Sequence, residues 1–590
     1  MSDTVHGPGY AAWRSLAEAD LKGAAFDKRL VSQTLEGLRV EPLYDTATQT
    51  APLPLAAAPG FRPGTIVMAS PEAMQHVQDD VQGGSLALLL CEPGMRLGCA
   101  AAPNAAETLD DLATAGLEAG LTASFEVRAP LGIDLARAFL LVHGSEGLAG
   151  RFSGSFSVDP LTDALELGAS FDPAPWLGTA IDLARAVTDA APDARVLMAS
   201  THRLHDAGAD PVLELTTALA SGLAWLRAGE RSSLDAARVH ASLTFRMASG
   251  RDFVLEVCKF RALRTAWARL LELAGADASI PAVVEAVTSR RTCTRLDVYN
   301  GMVRGTIEAA AAAIGTADRV FVTPYDDGLV EEASAVARRL ARNTALVAAY
   351  ESHLGHVADP AAGAWTFETL TDQLATLAWE WLGELEAVGG LDSTAGQDWV
   401  RARLAGQVAA RESAIRRRSY PIIGAGDFAL GTEELLGMRD VPGAGALSVR
   451  HDDDVWLQLR KRAASLGRRA SVQVVVLGAL DDVRARLSWT RTALAAGGLA
   501  VEEHAWPSSD APFPSLAAGS ITLLCGSDPT WLDLALSAAE QVAGQASRVL
   551  LAGRPREDAT LRQAGVHDFL FVGVDLVTVL SGVMDTLEAV

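Results

Sequence analysis

The chain contains one strand–turn–helix of the kind that presents a cofactor, VVVLGALDDVRARL at residues 474–487. The β-branched run reads as a buried parallel strand, Gly478 as a turn, and LDDVRARL as the opening of a helix. Ligands of open α/β sheets sit at the C-terminal ends of such strands, so a cofactor would bind just after Gly478. No histidine stands there. Other groups capable of chemistry are scattered. Cys91, Cys99, Cys258, Cys293 and Cys525 form no CxxC pair and read as free buried thiols of a reducing compartment. His353 and His356, in HLGH, fall in an expected loop with no third ligand near in sequence, so they are not read as a metal site. The RRRS run at 416–419 reads as the solvated C-terminus of a helix, where cations complement the dipole.

The elements that must position these groups alternate. From about 65 to 391, SLALLL (85–90), TASFEVR (122–128), RFSGSFSV (151–158), ARVLMAS (194–200), ASLTFRM (241–247) and RVFVTP (319–324) are separated by amphipathic helical stretches. Such alternation over this length indicates a parallel sheet covered by helices, and the closed (β/α)8 TIM barrel is the commonest solution. Two strands have an unusual face. Ser153, Ser155 and Ser157 alternate with Phe152, Phe156 and Val158, and Thr122, Ser124 and Glu126 with Ala123, Phe125 and Val127. Small hydroxyls pointing into a barrel would leave an axial channel. The alternation alone favours a half-solvated antiparallel strand, and the surrounding βα order brings the channel level with it.

Residues 1–64 read as an N-terminal arm followed by a Pro/Ala-rich linker, and 392–468 as a connector built on a long basic helix. Residues 469–590 carry five strands, ASVQVVVLGA, LAVEEHAW, SITLLCGS, SRVLLAG and DFLFVGV, alternating with helices. That is the pattern of a flavodoxin-like doubly wound sheet.

A chain of 590 residues is too long for one core. No apolar run reaches the roughly 20 residues of a membrane span, and the N-terminus resembles neither a signal nor a transit sequence. The net charge of -23 repels phosphate backbones and argues against nucleic acid as a partner. A cytoplasmic protein of several domains is expected.

The run 288–344 resembles the methylmalonyl-CoA mutase family. The match is carried by Asp297, Tyr299-Asn300, Val303-Arg304, Ile307-Glu308-Ala309, Asp327 and Ala341-Arg342-Asn343-Thr344. It continues through Asp359-Pro360, Gly363, Phe367-Glu368, Leu370-Thr371 and LEAVGG (385–390). Residues 21–44 resemble the family's N-terminal arm, and 207–229 and 253–268 two of its barrel helices. The resemblance implies a barrel split along its axis, through which the CoA tail of the substrate threads. It also implies a C-terminal cobalamin domain and radical rearrangement of (R)-methylmalonyl-CoA to succinyl-CoA, with the difficult chemistry supplied by adenosylcobalamin.

The groups that this chemistry requires are missing. The family's cobalt-binding turn has the form G-x-D-x-H-x-x-G; here Gly478 is kept, but Leu480, Asp482 and Ala485 take the Asp, His and final Gly positions. A carboxylate is a poor substitute for a nitrogen donor to cobalt. The strand end LLCGSDP and Ala552-Gly553-Arg554 also depart from the family's tail-contacting segments, and His504 and His567 read as ordinary polar residues. Catalytic members place a tyrosine early in the barrel, yet none lies between Tyr44 and Tyr299, and the linker stands where the tyrosine motif belongs. The family's catalytic histidine aligns with Arg203, or with His202 if one residue is inserted, which leaves His202 as the one candidate survivor; Arg291 stands where an aromatic is expected.

These absences point to the degenerate, non-catalytic small (beta) subunit of a heterodimeric bacterial enzyme. It would bind no cofactor or metal itself. A homologous large (alpha) subunit would hold adenosylcobalamin, with a cobalamin-loading GTPase chaperone as a further partner. The alternatives are an active adenosylcobalamin-dependent acyl-CoA mutase with unusual ligation, and a regulatory or scaffold chain that binds acyl-CoA or that chaperone.

Overall fold

The computed structural model describes residues 8–45, 55–92, 105–146, 153–330, 332–429, 446–527 and 531–589. Phe152, Cys99, residues 48–54 of the Pro/Ala linker and most of the VPGAGAL loop lie outside them. Contacts divide the chain into two compact units; the second comprises 294–300, 409–429 and the described residues from 451 onward. No helix among the described residues is long and apolar enough to cross a membrane.

Eight strands build the first unit: β1 (Arg62–Met68), β2 (Ala87–Cys91), β3 (Thr122–Glu126), β4 (Gly154–Val158), β5 (Ala194–Ser200), β6 (Leu243–Ser249), β7 (Val283–Thr288) and β8 (Arg319–Phe321). Each pairs in parallel with its neighbour, and β8 pairs with β1 to close the ring. The strand β4 lies parallel to both β3 and β5, which removes the antiparallel alternative. Outward-facing Leu88, Leu90, Phe125, Phe156, Leu197 and Phe245 join the helices in one apolar core.

Sequence periodicity finds six of these strands and misses β1 and β7. Pro63-Gly64 makes β1 look like a turn, so its first three residues fall in the expected linker. Gly64 is needed there because a Cβ would stand 2.4 Å from the Phe321 ring. In β7 the charged Glu285 interrupts an otherwise apolar run.

The expected axial channel is not formed by these strands. The hydroxyls of Thr122, Ser124, Ser155 and Ser157 are buried, while Ser153 precedes β4 and is half-buried, and two long side chains use the room they leave. From β6, Arg246 donates through Nε and Nη2 to Oε2 of Glu285 on β7 at 2.8 and 2.6 Å. From β8, Arg319 Nη1 donates to Glu285 Oε1 at 2.7 Å. Ser124 Oγ donates to the same oxygen at 2.5 Å, and Arg246 also reaches the carbonyl of Phe125 and Oγ of Ser157. The strict alternation expected for β4 also breaks: Ser157 has φ +56° beside a register shift in the β4–β5 pairing. Ile66, Leu89, Val287 and Phe321 fill an apolar cluster on β1, β2, β7 and β8.

Burial alone would raise the Glu285 carboxyl, yet Arg246, Arg319 and Ser124 outweigh it and hold it at about 2. The acid is therefore ionised at every ordinary pH, and the barrel closes around an ion cluster.

In the second unit, β9 (Ser471–Leu477), β10 (Ala500–Trp506), β11 (Ile521–Gly526), β12 (Arg548–Ala552) and β13 (Asp568–Leu570) form a parallel sheet ordered β10-β9-β11-β12-β13. This is the flavodoxin-type order, with separate apolar cores on its two faces. The helix Asp454–Leu466, within the expected connector, buries Trp456 and Leu457 in one of them. The RRRS run does close a helix, Thr394–Arg416, with Arg417 and Ser419 exposed, but its arginines are also tied to acceptors of the protein. Arg416 pairs with Asp575 at 3.0 Å, Arg417 donates to the Gly573 carbonyl at 3.2 Å, and Arg418 binds Asp427 at 2.8 Å.

Removing one partner of a buried ion cluster strands the others. Glu285→Ala should cost about 3–5 kcal/mol, read as a lower urea midpoint. Pairing Glu285→Leu with Arg246→Met should recover part of that loss.

Candidate functional site

The C-terminal ends of the barrel strands, where such folds place their chemistry, hold His202. Its Nε2 lies 2.9 Å from Glu126 Oε1 and its Nδ1 2.9 Å from Ser200 Oγ. The other Glu126 oxygen accepts from Cys91 Sγ at 3.1 Å. A neutral imidazole fits both contacts, donating from Nε2 and accepting at Nδ1, so each ring nitrogen has a protein partner in a buried site. Asp159 accepts from Thr162 and from the Ser200 N–H, and burial pushes its carboxyl up to about 6. A cavity of about 20 Å³ lies among Glu126, Ser157, Asp159, His202 and Arg246, room for about one water. The neighbouring Arg203 is bound with Arg128 to Glu166, and Arg291 donates to the carbonyls of His205 and Ala209. All of these groups are committed to the protein's own polar atoms.

At the C-terminal end of β9, Gly478 takes φ +90° and its N–H bonds the Trp506 carbonyl at 3.0 Å. Helix α1 (Leu480–Ala496) starts two residues later with Asp481 and Asp482 in its first turn, where acids complement the helix dipole. Leu480 and Asp482 are exposed, and Asp481 pairs with Arg484. His504 lies within the edge strand β10, and His567 precedes β13, where its Nδ1 accepts from the Val549 N–H. Neither reaches the turn. Between sheet and helices, Val474, Val476, Val483, Leu487, Cys525 and Leu580 form a continuous apolar core. The residues at this turn therefore do not fit a cobalt-ligated corrinoid: they offer hard oxygens where an imidazole nitrogen is required. Among the described residues no group of three or more His, Cys, Asp or Glu could hold a metal ion; the rings of His353 and His356 lie 4.4 Å apart, tilted by 32°.

Sequence reasoning missed a second buried cluster. Lys259 Nζ lies 2.7 Å from Glu214 and 2.5 Å from Glu256, and burial of the ammonium is outweighed by the two carboxylates. Glu214 also accepts from the Ala248 N–H at 2.7 Å. The signal was legible as lone charges on otherwise apolar helix faces, in PVLELTTALA and FVLEVCKFRA. Glu308 lies at 2.6 Å from Thr292 Oγ1, whose own hydrogen can serve Ser289 O at 3.1 Å. That arrangement suits a protonated acid donating to Thr292, and burial pushes Glu308 up to about 8 from an ordinary 4.5. The native chain keeps this proton between those values while the unfolded chain has lost it, so stability falls as pH rises through the window. Glu308→Gln keeps the donor without the titration. Its stability advantage over the parent should grow from pH 5 to 8.5 by on the order of 2–4 kcal/mol; a pH-independent difference in urea unfolding would contradict the assignment.

Comparison with known proteins places this arrangement. The family model described as Methylmalonyl-CoA mutase matches residues 121–451. The "Methylmalonyl-CoA mutase small subunit" of Streptomyces virginiae is 31% identical over 621 residues, covering 98% of this chain and 96% of that one. The small subunit of Propionibacterium freudenreichii subsp. shermanii is 29% identical, covering 73% of this chain and 69% of its own. The "Methylmalonyl-CoA mutase, mitochondrial" of Bos taurus is 26% identical over 75% of this chain and 63% of that one. With a full-length relative above 30% identity and a barrel followed by a parallel sheet in the expected order, the chain belongs to the methylmalonyl-CoA mutase family.

Proposed function

We propose that this chain is the non-catalytic small subunit of a heterodimeric methylmalonyl-CoA mutase. Its homologous large subunit would bind adenosylcobalamin, which supplies the radical, and would interconvert (R)-methylmalonyl-CoA and succinyl-CoA. The observation that carries this reading is the Arg246–Glu285–Arg319 cluster, which occupies the barrel axis along which a CoA tail would have to run. Two further features support it. The turn after Gly478 lacks a nitrogen donor, and His202, the one candidate survivor, is held by Glu126 and Ser200. The relatives that carry the small-subunit name support a partner of the same family. The four described cysteines are free and buried, in keeping with the cytoplasmic location we assign. A cobalamin-loading GTPase chaperone is a further partner in this proposal, acting on the complex.

The role is tested by expressing the large subunit with and without this chain. Together they should give an active, co-purifying complex, while the large subunit alone should lose most of its yield or activity. This chain alone should retain no corrinoid absorbance after gel filtration with adenosylcobalamin. A large subunit fully stable and active by itself would remove the supporting role. Corrinoid retention with turnover by this chain would instead make it an enzyme in its own right.

A further inference from the structure

A cavity of about 450 Å³ lies in the second unit, beside the segment that follows β13. That is within the size range of pockets for small molecules. Its floor is a stripe of α1, Ala485, Ser488, Trp489 and Thr492. By helical periodicity these positions lie opposite Val483, Leu487 and Leu494, which pack into the core. The cavity is therefore on the outer face of α1, away from the side that packs into the core. Its walls are Arg417, Arg418, Asp427 and Phe428 on one side and Phe571 to Val574 with Leu576 on the other.

Three observations give it the character of a ligand site. First, the lips are large apolar side chains left in water, Phe428 at 72% and Val572 at 82% exposure. Second, one wall is held in costly conformations: Arg418 and Phe428 have φ +56° and +53°, rare for bulky residues. One guanidinium nitrogen of Arg418 and one carboxylate oxygen of Asp427 are also buried without a hydrogen-bond partner. Strain of this kind concentrates at ligand clamps. Third, the charges are unequal. Arg418 is neutralised by Asp427 at 2.8 Å and stands 5.7 Å from the Trp489 ring centre. Arg417 is exposed, donates one N–H to the Gly573 carbonyl, and pairs with no carboxylate among the described residues. The hydroxyls of Ser488 and Thr492 lie one helical turn apart on the floor.

We propose that this cavity binds a planar aromatic ligand carrying an anionic group, of the size and chemistry of a purine mononucleotide. The ring stacks against Trp489 and the phenylalanines, the sugar or base edge meets the hydroxyls of Ser488 and Thr492, and the phosphate pairs with Arg417. The same chemistry occurs in a free nucleotide and in the adenosine end of a coenzyme. The site is independent of the subunit role argued above.

Isothermal titration of the full-length chain tests it with adenosine 5′-monophosphate, adenosine, inorganic phosphate and coenzyme A. The monophosphate should bind saturably at one site, more tightly than adenosine, with no saturable heat from phosphate alone. Arg417→Ala should weaken the monophosphate about tenfold and leave adenosine unchanged. Ala485→Trp, on an exposed helix face, should fill the cavity and abolish both. Tighter binding of coenzyme A than of the monophosphate assigns the coenzyme as source, and equal or weaker binding assigns the free nucleotide. Absence of saturable binding by the monophosphate, or binding that neither substitution changes while circular dichroism shows both variants folded, overturns the proposal. If co-purification with the large subunit depends on Phe428 and Val572 while no ligand binds, the cavity is a protein contact instead.

Discussion

A carboxylate on the axis of a closed barrel has no water to solvate it, and Glu285 persists there because two guanidinium groups and a serine hydroxyl surround it. Much of the barrel's interior follows from that constraint. Ser124 and Ser157 are small because Arg246 must cross the axis, and Phe321 lies over Gly64 because no Cβ fits there. An inner surface of short hydroxyl residues is compatible with an open tube or with a tube filled by long side chains from the far wall. The distinction lies in strands β6, β7 and β8, distant in sequence from the serines.

The same logic repeats outside the axis. Lys259 is fully buried because Glu214 and Glu256 flank it, and Arg261 because Asp359 and Glu368 do. Lys259 and Glu256 share one helix, but the other pairs join segments far apart in the chain, which are thus fastened by hydrogen-bonded charge as well as by apolar area. Such pairs add little net stability over well-packed hydrophobic residues, but losing one partner is severe. They resist piecemeal substitution for that reason. His202 belongs to this class: its imidazole and Glu126 complete each other's hydrogen bonding.

The architecture of the second unit does not rest on the residues at its first turn. Its sheet order, glycine turn and dual apolar cores depend on the alternation of strands and helices. Cobalt ligation would depend on one side chain at one turn. Asp482 at that position stabilises the start of α1 through the helix dipole, a role that needs neither a metal nor a nitrogen.

The sequence by itself determined the alternation of strands and helices in both units and the family, because β-branched runs, amphipathic helices and motif spacing are local properties. It also exposed the missing histidine and the stretch without tyrosine, since absences at fixed motif positions need no coordinates. It did not reveal β1, whose Pro-Gly start imitates a turn, or β7, whose buried charge imitates a surface residue. Only the tertiary structure decided that the barrel axis is occupied, that His202 and Glu126 are partners, that RRRS is bound within the second unit, and that a cavity lies on the outer face of α1. Each depends on side chains brought together from distant segments, and the burial that makes a charge pair or a cavity consequential exists only after the chain has closed around it.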